Sequence, residues 1–486
     1  MSDGLLDRSA GARRAAEYRP LQGDLIATAD GQLGLIVYTF AGGNLHTGAT
    51  SFYAFFHSQG GQAAAKVFDQ LFGIYGRQWW ASNELRRIVF AEEYDRLLPV
   101  QLTLRTIDPA TNPTLIQAGQ TNSLTLRHLR PGQPVQLVGL RVIKQQAERL
   151  TLYAAPPAGE RSAPLRIRLQ DPAAAAYQPG DLLPPHAAVI ESTRWESLVA
   201  SAQAAISSFD TSAEHFVVEG VSYRNPLLRL TATLDLAQDV RVSIVHGDLN
   251  LQNILVEPAS SFAWLIDFAE THRGPTLLDL QRMEVQVLAK LLGRLPRPTQ
   301  GAGLVASLLD ALHTTTPTLA SPVPALQEPY TLLVTLREWA RQFLVDDRQW
   351  DEYYRGLLLA LIGALKFDEL DNAARALVLV GAAKASELIG KPLATPVDPA
   401  PGQPPYKGLQ AFDVADADLF FGREQLINDI LAHLQQEPFL AIVGPSGSGK
   451  SSLVRAGLSA ALVNQATDPA TWAVTILTPT AQPLPT

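Results

Sequence analysis

Apolar residues recur along this chain with two different periods, and the change of period divides it. Phe52, Phe56, Val67, Phe68, Leu71, Phe72 and Tyr75 fall at helical spacing, so helix is expected over 52–75. From about 97 to 170 apolar positions instead alternate with polar ones between Gly and Pro turns, as in Leu102-Thr103-Leu104 and Leu165-Arg166-Ile167. Period two predicts a β-rich insertion there, of which a small barrel is one form. Residues 171–186 are rich in Pro and Ala, and helix is expected again over 191–206. Helical periods then dominate at 283–295, 304–313, 330–344, 353–367 and 373–389, whose apolar residues would fill one large core. The repeated prolines of 391–405 read as a semi-rigid linker into a second domain.

Two polar loops interrupt these patterns. In the first, an apolar strand ends at His246-Gly247-Asp248, Asn253 follows, and two further strands at 254–256 and 263–266 lead to Asp267. In-line phosphoryl transfer needs a carboxylate to orient or deprotonate the attacking hydroxyl, and an amide oxygen with a second carboxylate to hold Mg²⁺. Asp248, Asn253 and Asp267 suit those roles in that order. Turn chemistry alone also places Asp and Asn in loops, but three matched positions around one hairpin favour the chemical reading.

The second loop, GPSGSGKS at 444–451, follows an expected strand at 439–443 and opens an expected helix at 452–462. Its pattern is that of a phosphate loop. Gly444, Pro445, Ser446, Gly447, Ser448, Gly449, Lys450, Ser451 and Ser452 would then line a nucleotide site. The glycines turn backbone N–H groups onto the phosphates, Lys450 reaches the terminal ones and Ser451 ligates Mg²⁺. ATP and Mg²⁺ are the expected cofactors.

Composition narrows the partners. The 486 residues, 47% hydrophobic and 18% charged, suit a globular chain of two or three domains. A net charge of −8 gives no general pull toward nucleic acid or anionic lipid. Arg127, Arg130, Arg141 and Arg168 of the insertion lack interleaved aromatic platforms and read as a solvated face. With no cysteine, disulfides and thiolate metal sites are excluded. The most apolar run, 357–365, is far short of a membrane span, and the first residues lack a signal-peptide core. The expectation is a cytoplasmic protein without membrane or nucleic-acid partners.

HGDLNLQNIL at 246–255, followed by LIDF at 265–268, resembles the catalytic and metal loops of aminoglycoside-phosphotransferase-like and protein-kinase-like enzymes. VYTFAGGNL, HRGPTLLDLQRMEV and LVGAAKASELI resemble, more narrowly, the ternary complex-associated kinase-like domain of bacterial conflict and signalling proteins. The resemblance implies an α+β multidomain chain. A protein-kinase-like large lobe, mostly helical and carrying the insertion, would occupy 31–390. In that frame the strand at 33–40 would be an interlobe hinge whose backbone at 37–40 meets adenine, although a plain buried strand and turn fits those residues equally. Asp248 would be catalytic, and Asn253 and Asp267 would hold the metal. Asp279 would act structurally, while His272 and Arg273 would cap the helix starting near 277 or face a phosphate. The chain departs from the family in having only about thirty residues before the hinge, too few for a small lobe with its Gly-rich cover and phosphate lysine. Lys66 could be that lysine in a rival registration, but helical spacing makes it a solvated helix residue.

PYKGLQAFDVADADLFFGREQLINDILAHL, with VGPSGSGKSSLVRAGL, resembles the novel STAND NTPases. The resemblance implies the start of a P-loop α/β NTPase domain over 406–486, with Gly422 and Arg423 contacting nucleotide. After an expected strand at 472–477 no Walker B acid can be placed, so the chain reads as a fragment of a longer protein. The leading expectation is an ATP-binding signalling or conflict-system protein, in which a kinase-like module is coupled to a STAND switch among protein partners. Two alternatives are a small-molecule phosphotransferase acting on a hydroxyl and a catalytically silent scaffold for a partner protein.

Overall fold

A computed structural model describes residues 25–27, 34–36, 48–121, 126–292, 301–315, 317, 320–394, 411–445, 448–464 and 474–476. The chain divides into two compact units, Met1–Pro396 and Val397–Thr486. In the first, β1 (Leu25–Ala27) and β2 (Gly34–Ile36) pair antiparallel. The adenine-facing positions 37–40 expected of the hinge lie outside the described residues.

The short strand β3 (Thr50–Ser51) leads into the helix α1 (Phe52–Tyr75), where the Ser51 hydroxyl accepts from Ala54 N at 3.3 Å as a cap. The apolar spacing becomes a buried stripe in which the Phe52 and Phe68 rings stack at 4.3 Å. Lys66 is exposed on this helix, as its helical reading expects.

The insertion forms a seven-stranded sheet of β5 (Leu102–Thr106), β6 (Thr114–Gln117), β7 (Pro134–Val138), β8 (Arg141–Gln146), β9 (Arg149–Ala154), β10 (Leu165–Gln170) and β11 (His186–Thr193), after β4 (Glu84–Val89) has joined another sheet. Its order is β6-β7-β11-β5-β10-β9-β8. Strands β7 and β8 are joined by Gly139 and Leu140 alone, yet stand five places apart in that order. Five flat spacings would be about 24 Å, while three Cα steps reach at most about 11 Å. The sheet must therefore curl back on itself. Its alternating residues, among them Leu104, Val135, Leu137, Leu152, Ile167 and Ile190, close on a core of their own. Edge strand β8 is covered by the backbone of 180–183, through Val142 N to Asp181 O at 2.8 Å and Leu183 N to Leu140 O at 2.8 Å.

Here the structure corrects the sequence reading. The sheet does not finish near 170, because β11 inserts between β7 and β5, and the helix expected from 191 starts only at α2 (Arg194–Ala205). Thr193 is the reason: its hydroxyl and the Glu196 carboxylate form a capping box that fixes the helix start after it. Of the four arginines noted in the insertion, Arg168 is exposed, Arg127 pairs with Asp235 at 2.6 Å, and Arg130 and Arg141 donate to backbone carbonyls.

A buried carboxylate joins the sheet to the helical body. Asp95, 1% exposed, accepts from Arg194 of α2 at 2.6 Å and 3.0 Å and from Arg166 of β10 at 3.0 Å. Lys366 donates to the carbonyls of Leu97 and Leu98 at 2.6 Å and 3.3 Å. The body then adds the hairpin of β12 (His215–Val218) and β13 (Val221–Arg224), and β14 (Ala237–Val245), which runs between β4 and β17 (His272–Pro275). The hairpin of β15 (Ile254–Glu257) and β16 (Phe262–Leu265) pairs through β15 with β3. Helices α3 (Leu278–Gln286), α4 (Gly301–Leu312), α5 (Gln327–Arg341), α6 (Asp351–Ala364) and α7 (Asn372–Leu388) carry most of the large core, as their periods expected. Inside it, Arg337 makes a bidentate pair with Glu284 at 2.7 Å, both 1% exposed or less, under the Tyr353 and Tyr354 rings.

In the second unit, α8 (Glu424–Leu434) packs Ile430 and Leu431 against Leu453, Leu458 and Leu462 of the helical run that starts at Lys450. No strand forms at 439–443, nor at 474–476, the described part of the strand expected at 472–477. A strand is completed by hydrogen-bonded neighbours, and none lies beside either segment among the described residues.

Candidate functional site

Strand β14 delivers His246 and Gly247 into the body, where one side chain fixes both. The buried Asp279 carboxylate accepts from His246 N at 2.7 Å and Gly247 N at 3.0 Å. Gly247 has φ +79°, and a Cβ on it would overlap the Glu270 carbonyl oxygen and stand 3.0 Å from the His272 ring. Only glycine fits there without strain. The His246 ring donates from Nε2 to Ile266 O at 2.9 Å and accepts at Nδ1 from Asp248 N at 3.3 Å, which fixes its tautomer. The Phe268 ring lies 5.4 Å from that ring, tilted to it, and meets the Trp79 ring edge-on at 6.0 Å.

The loop from 248 to 253 folds onto one carbonyl. Asn250 Nδ2 and Asn253 Nδ2 donate to Asp248 O at 3.0 Å and 2.9 Å, and Asn250 Oδ1 accepts from Asn253 N at 3.2 Å. Asn253 O in turn accepts from Ile266 N at 3.0 Å, which sets Asn253 beside Asp267 at the open end of the β15–β16 hairpin. Asp267 is exposed and left-handed, with φ +62° and ψ 64°. Asp tolerates that conformation better than most residues. Asn253 Oδ1 and the Asp267 carboxylate have no protein partner among the described residues, so both remain hard oxygen donors. No group of three or more His, Cys, Asp or Glu placed for a metal occurs among those residues.

Asp248 is half-buried, and its Oδ1 is ion-paired with Arg282 Nη2. Arg282 follows Asp279 by three positions on α3, so both belong to one helix face. Burial pushes the Arg282 pKa down, against the pull of Asp248 and then Asp279. Burial, and after it the Asp279 charge, push the Tyr75 hydroxyl well up.

Asp248, Asn253 and Asp267 thus share one loop and hairpin end. His272 and Arg273 cap no helix, against one of their two expected roles: they lie on β17, paired with β14 through Val245 and Ile244. Arg96 Nη1 lies 2.9 Å from His272 Nδ1, and Arg273 pairs with Glu84 at 2.8 Å. The free edge of β14 takes this segment as a strand. Sequence reasoning missed Asn250 and Arg282. Asn250 lay inside the loop already singled out, and helical spacing from Asp279 pointed to Arg282.

In the second unit Lys450 opens its helix after Gly449, which has φ +82°. Its ammonium lies on its own loop, donating to Gly444 O at 2.8 Å and Pro445 O at 2.7 Å. Ser446 and Gly447 lie outside the described residues, Ser448 and Ser451 are exposed, and Ser452 Oγ accepts from Phe412 N at 3.1 Å. Gly422, φ +82°, donates to Glu424 Oε1 at 2.8 Å, and Arg423 stands at the N-cap of α8. No helix among the described residues is long and apolar enough to cross a membrane.

Comparison with known families agrees with this division. A family model described as Novel STAND NTPase 1 matches residues 405–486, and one described as Ternary complex associated domain 9 matches residues 23–366. Neither the curated proteins nor the solved structures give a match. The second family model covers well over half of the sequence, so the chain belongs to the ternary complex associated domain 9 family, fused to a novel STAND NTPase segment.

Proposed function

We propose that the first unit binds Mg²⁺-ATP at the loop of Asp248, Asn253 and Asp267 and passes its terminal phosphoryl group to a hydroxyl. The second unit binds nucleotide at its phosphate loop and acts as a switch within a cytoplasmic signalling or defence complex of several proteins. The observation that carries the first part is the sharing of labour in the loop. Asn253 commits its Nδ2 to Asp248 O and keeps Oδ1, beside an exposed Asp267 with no cation partner among the described residues. Two hard oxygens suit Mg²⁺, which takes its remaining ligands from water and phosphates. Bound there, the ion would neutralise phosphate charge.

Asp248 would handle the proton. Arg282 occupies its Oδ1, and Oδ2 has no protein partner among the described residues. Oδ2 accepts the hydroxyl proton as the acceptor oxygen attacks the γ-phosphorus. The bond to the bridging oxygen breaks, and its electron pair leaves with ADP. In the second unit, incoming phosphates would replace the Gly444 and Pro445 carbonyls as partners of Lys450, with Ser451 on Mg²⁺ and Gly422 and Arg423 against the nucleotide. The STAND match supports the switch, and the words ternary complex support the multiprotein setting.

Calorimetric titration of the full chain with Mg²⁺-ATP tests the reading. Two sites are expected, one lost in Asp267→Ala and the other in Lys450→Ala. Loss of all binding in Lys450→Ala would sink the first-unit assignment and leave that unit as an interaction module.

A further inference from the structure

We infer that Arg282 is a second charge-handling residue of the first site, holding Asp248 through one nitrogen and binding the terminal phosphoryl group through another. The inference rests on the transfer reading above and assigns a part that reading leaves unfilled. In-line transfer brings the anionic γ-phosphoryl oxygens close to the carboxylate that takes the proton, a like-charge approach that needs a cation nearby. The loop itself, Asp248-Leu249-Asn250-Leu251-Gln252-Asn253, supplies none.

Arg282 comes from another element and meets the requirement on three counts. Its Nη2 is on Asp248 Oδ1, so it already stands at the reacting carboxylate. It rides on the same helix face as Asp279, which holds the His246 and Gly247 backbone, so guanidinium and loop are fixed to one rigid support. Its donors are also underused: Nε is buried without an acceptor, and Nη1 has no partner among the described residues. The neighbouring cations are committed elsewhere, Arg96 to Glu270 at 2.7 Å and Lys366 to the Leu97 and Leu98 carbonyls. A planar guanidinium with one donor on a carboxylate can still offer another to a phosphoryl oxygen.

The test uses the full chain carrying Lys450→Ala, so that only the first site reports, titrated with Mg²⁺-ATP and with Mg²⁺-ADP. Arg282→Met should weaken ATP roughly ten- to a hundredfold, the size of one charge-assisted hydrogen bond. ADP, which lacks the γ-phosphoryl, should change less than about twofold. Arg282→Lys should recover part of the loss, and millimolar guanidinium should restore ATP affinity to Arg282→Ala. Equal weakening of ATP and ADP would mean that Arg282 only supports the loop, and no weakening of either would mean that it faces no nucleotide; each overturns the inference while the site stands. Absence of nucleotide binding in the Lys450→Ala parent itself would overturn the transfer reading and this inference together. Circular dichroism melts of each variant separate loss of fold from loss of contact.

Discussion

Gly247 sits where β14 turns into the loop, in a conformation that a side chain could hold only under strain and against the Glu270 carbonyl. Gly247→Ala should cost about 1–3 kcal/mol from the backbone alone, and should abolish Mg²⁺-ATP binding at this site. A urea midpoint within error of the parent would contradict it. Glu352 makes a different statement. Burial pushes its carboxyl up from 4.5 to about 7, and one of its oxygens lacks a partner while the other accepts from Val345 N at 2.6 Å. Between pH 4.5 and about 7 the folded protein therefore holds a proton that the unfolded chain has released. Stability contributed by this group is present below pH 4.5 and falls as pH rises toward about 7. Glu352→Gln should flatten that slope, and urea midpoints at pH 5 and pH 8 that change equally in parent and variant would refute it. At this scale the sequence grouped Asp248, Asn253 and Asp267 as candidates, because their spacing is local, and the three do share one loop and hairpin end. It could not show that Asp248 meets Arg282, since that pairing depends on where α3 comes to rest.

Among elements, the clamp on Asp95 decides whether sheet and helices act as one body. Asp95→Ala would leave the guanidiniums of Arg166 and Arg194 without their shared carboxylate, at a cost of about 3–5 kcal/mol. Faster amide hydrogen exchange across β5, β10 and β11 is expected, and unchanged protection there would show the clamp to be dispensable. Helices were legible because each carries its own period; α1 and the run from α4 to α7 lie where apolar spacing puts them. Strands β5, β7, β9 and β10 were legible by alternation. Strand β11 was not, because a Pro- and Ala-rich stretch precedes it and its place is set by partners from distant parts of the chain. The segment 439–443 failed the other way: its apolar composition suits a strand, but composition supplies no neighbour.

For the whole molecule, two units with separate cores should unfold as separate events. Mg²⁺-ATP at a hundred times its Kd adds about 2.7 kcal/mol to the unit that binds it. Scanning calorimetry should show both transitions rising in the parent and only the first unit's rising in Lys450→Ala; a first-unit transition indifferent to nucleotide would remove the first site. The order of strands in the curled sheet also governs how the protein can be made. Strand β11 is the last of the seven to leave the ribosome, yet it lies between β7 and β5 and, among the described residues, carries the ladder between the two halves of the sheet. Until Thr193 emerges, the nascent chain carries two incomplete half-sheets with open hydrogen-bonding edges, which need shielding from other chains during translation.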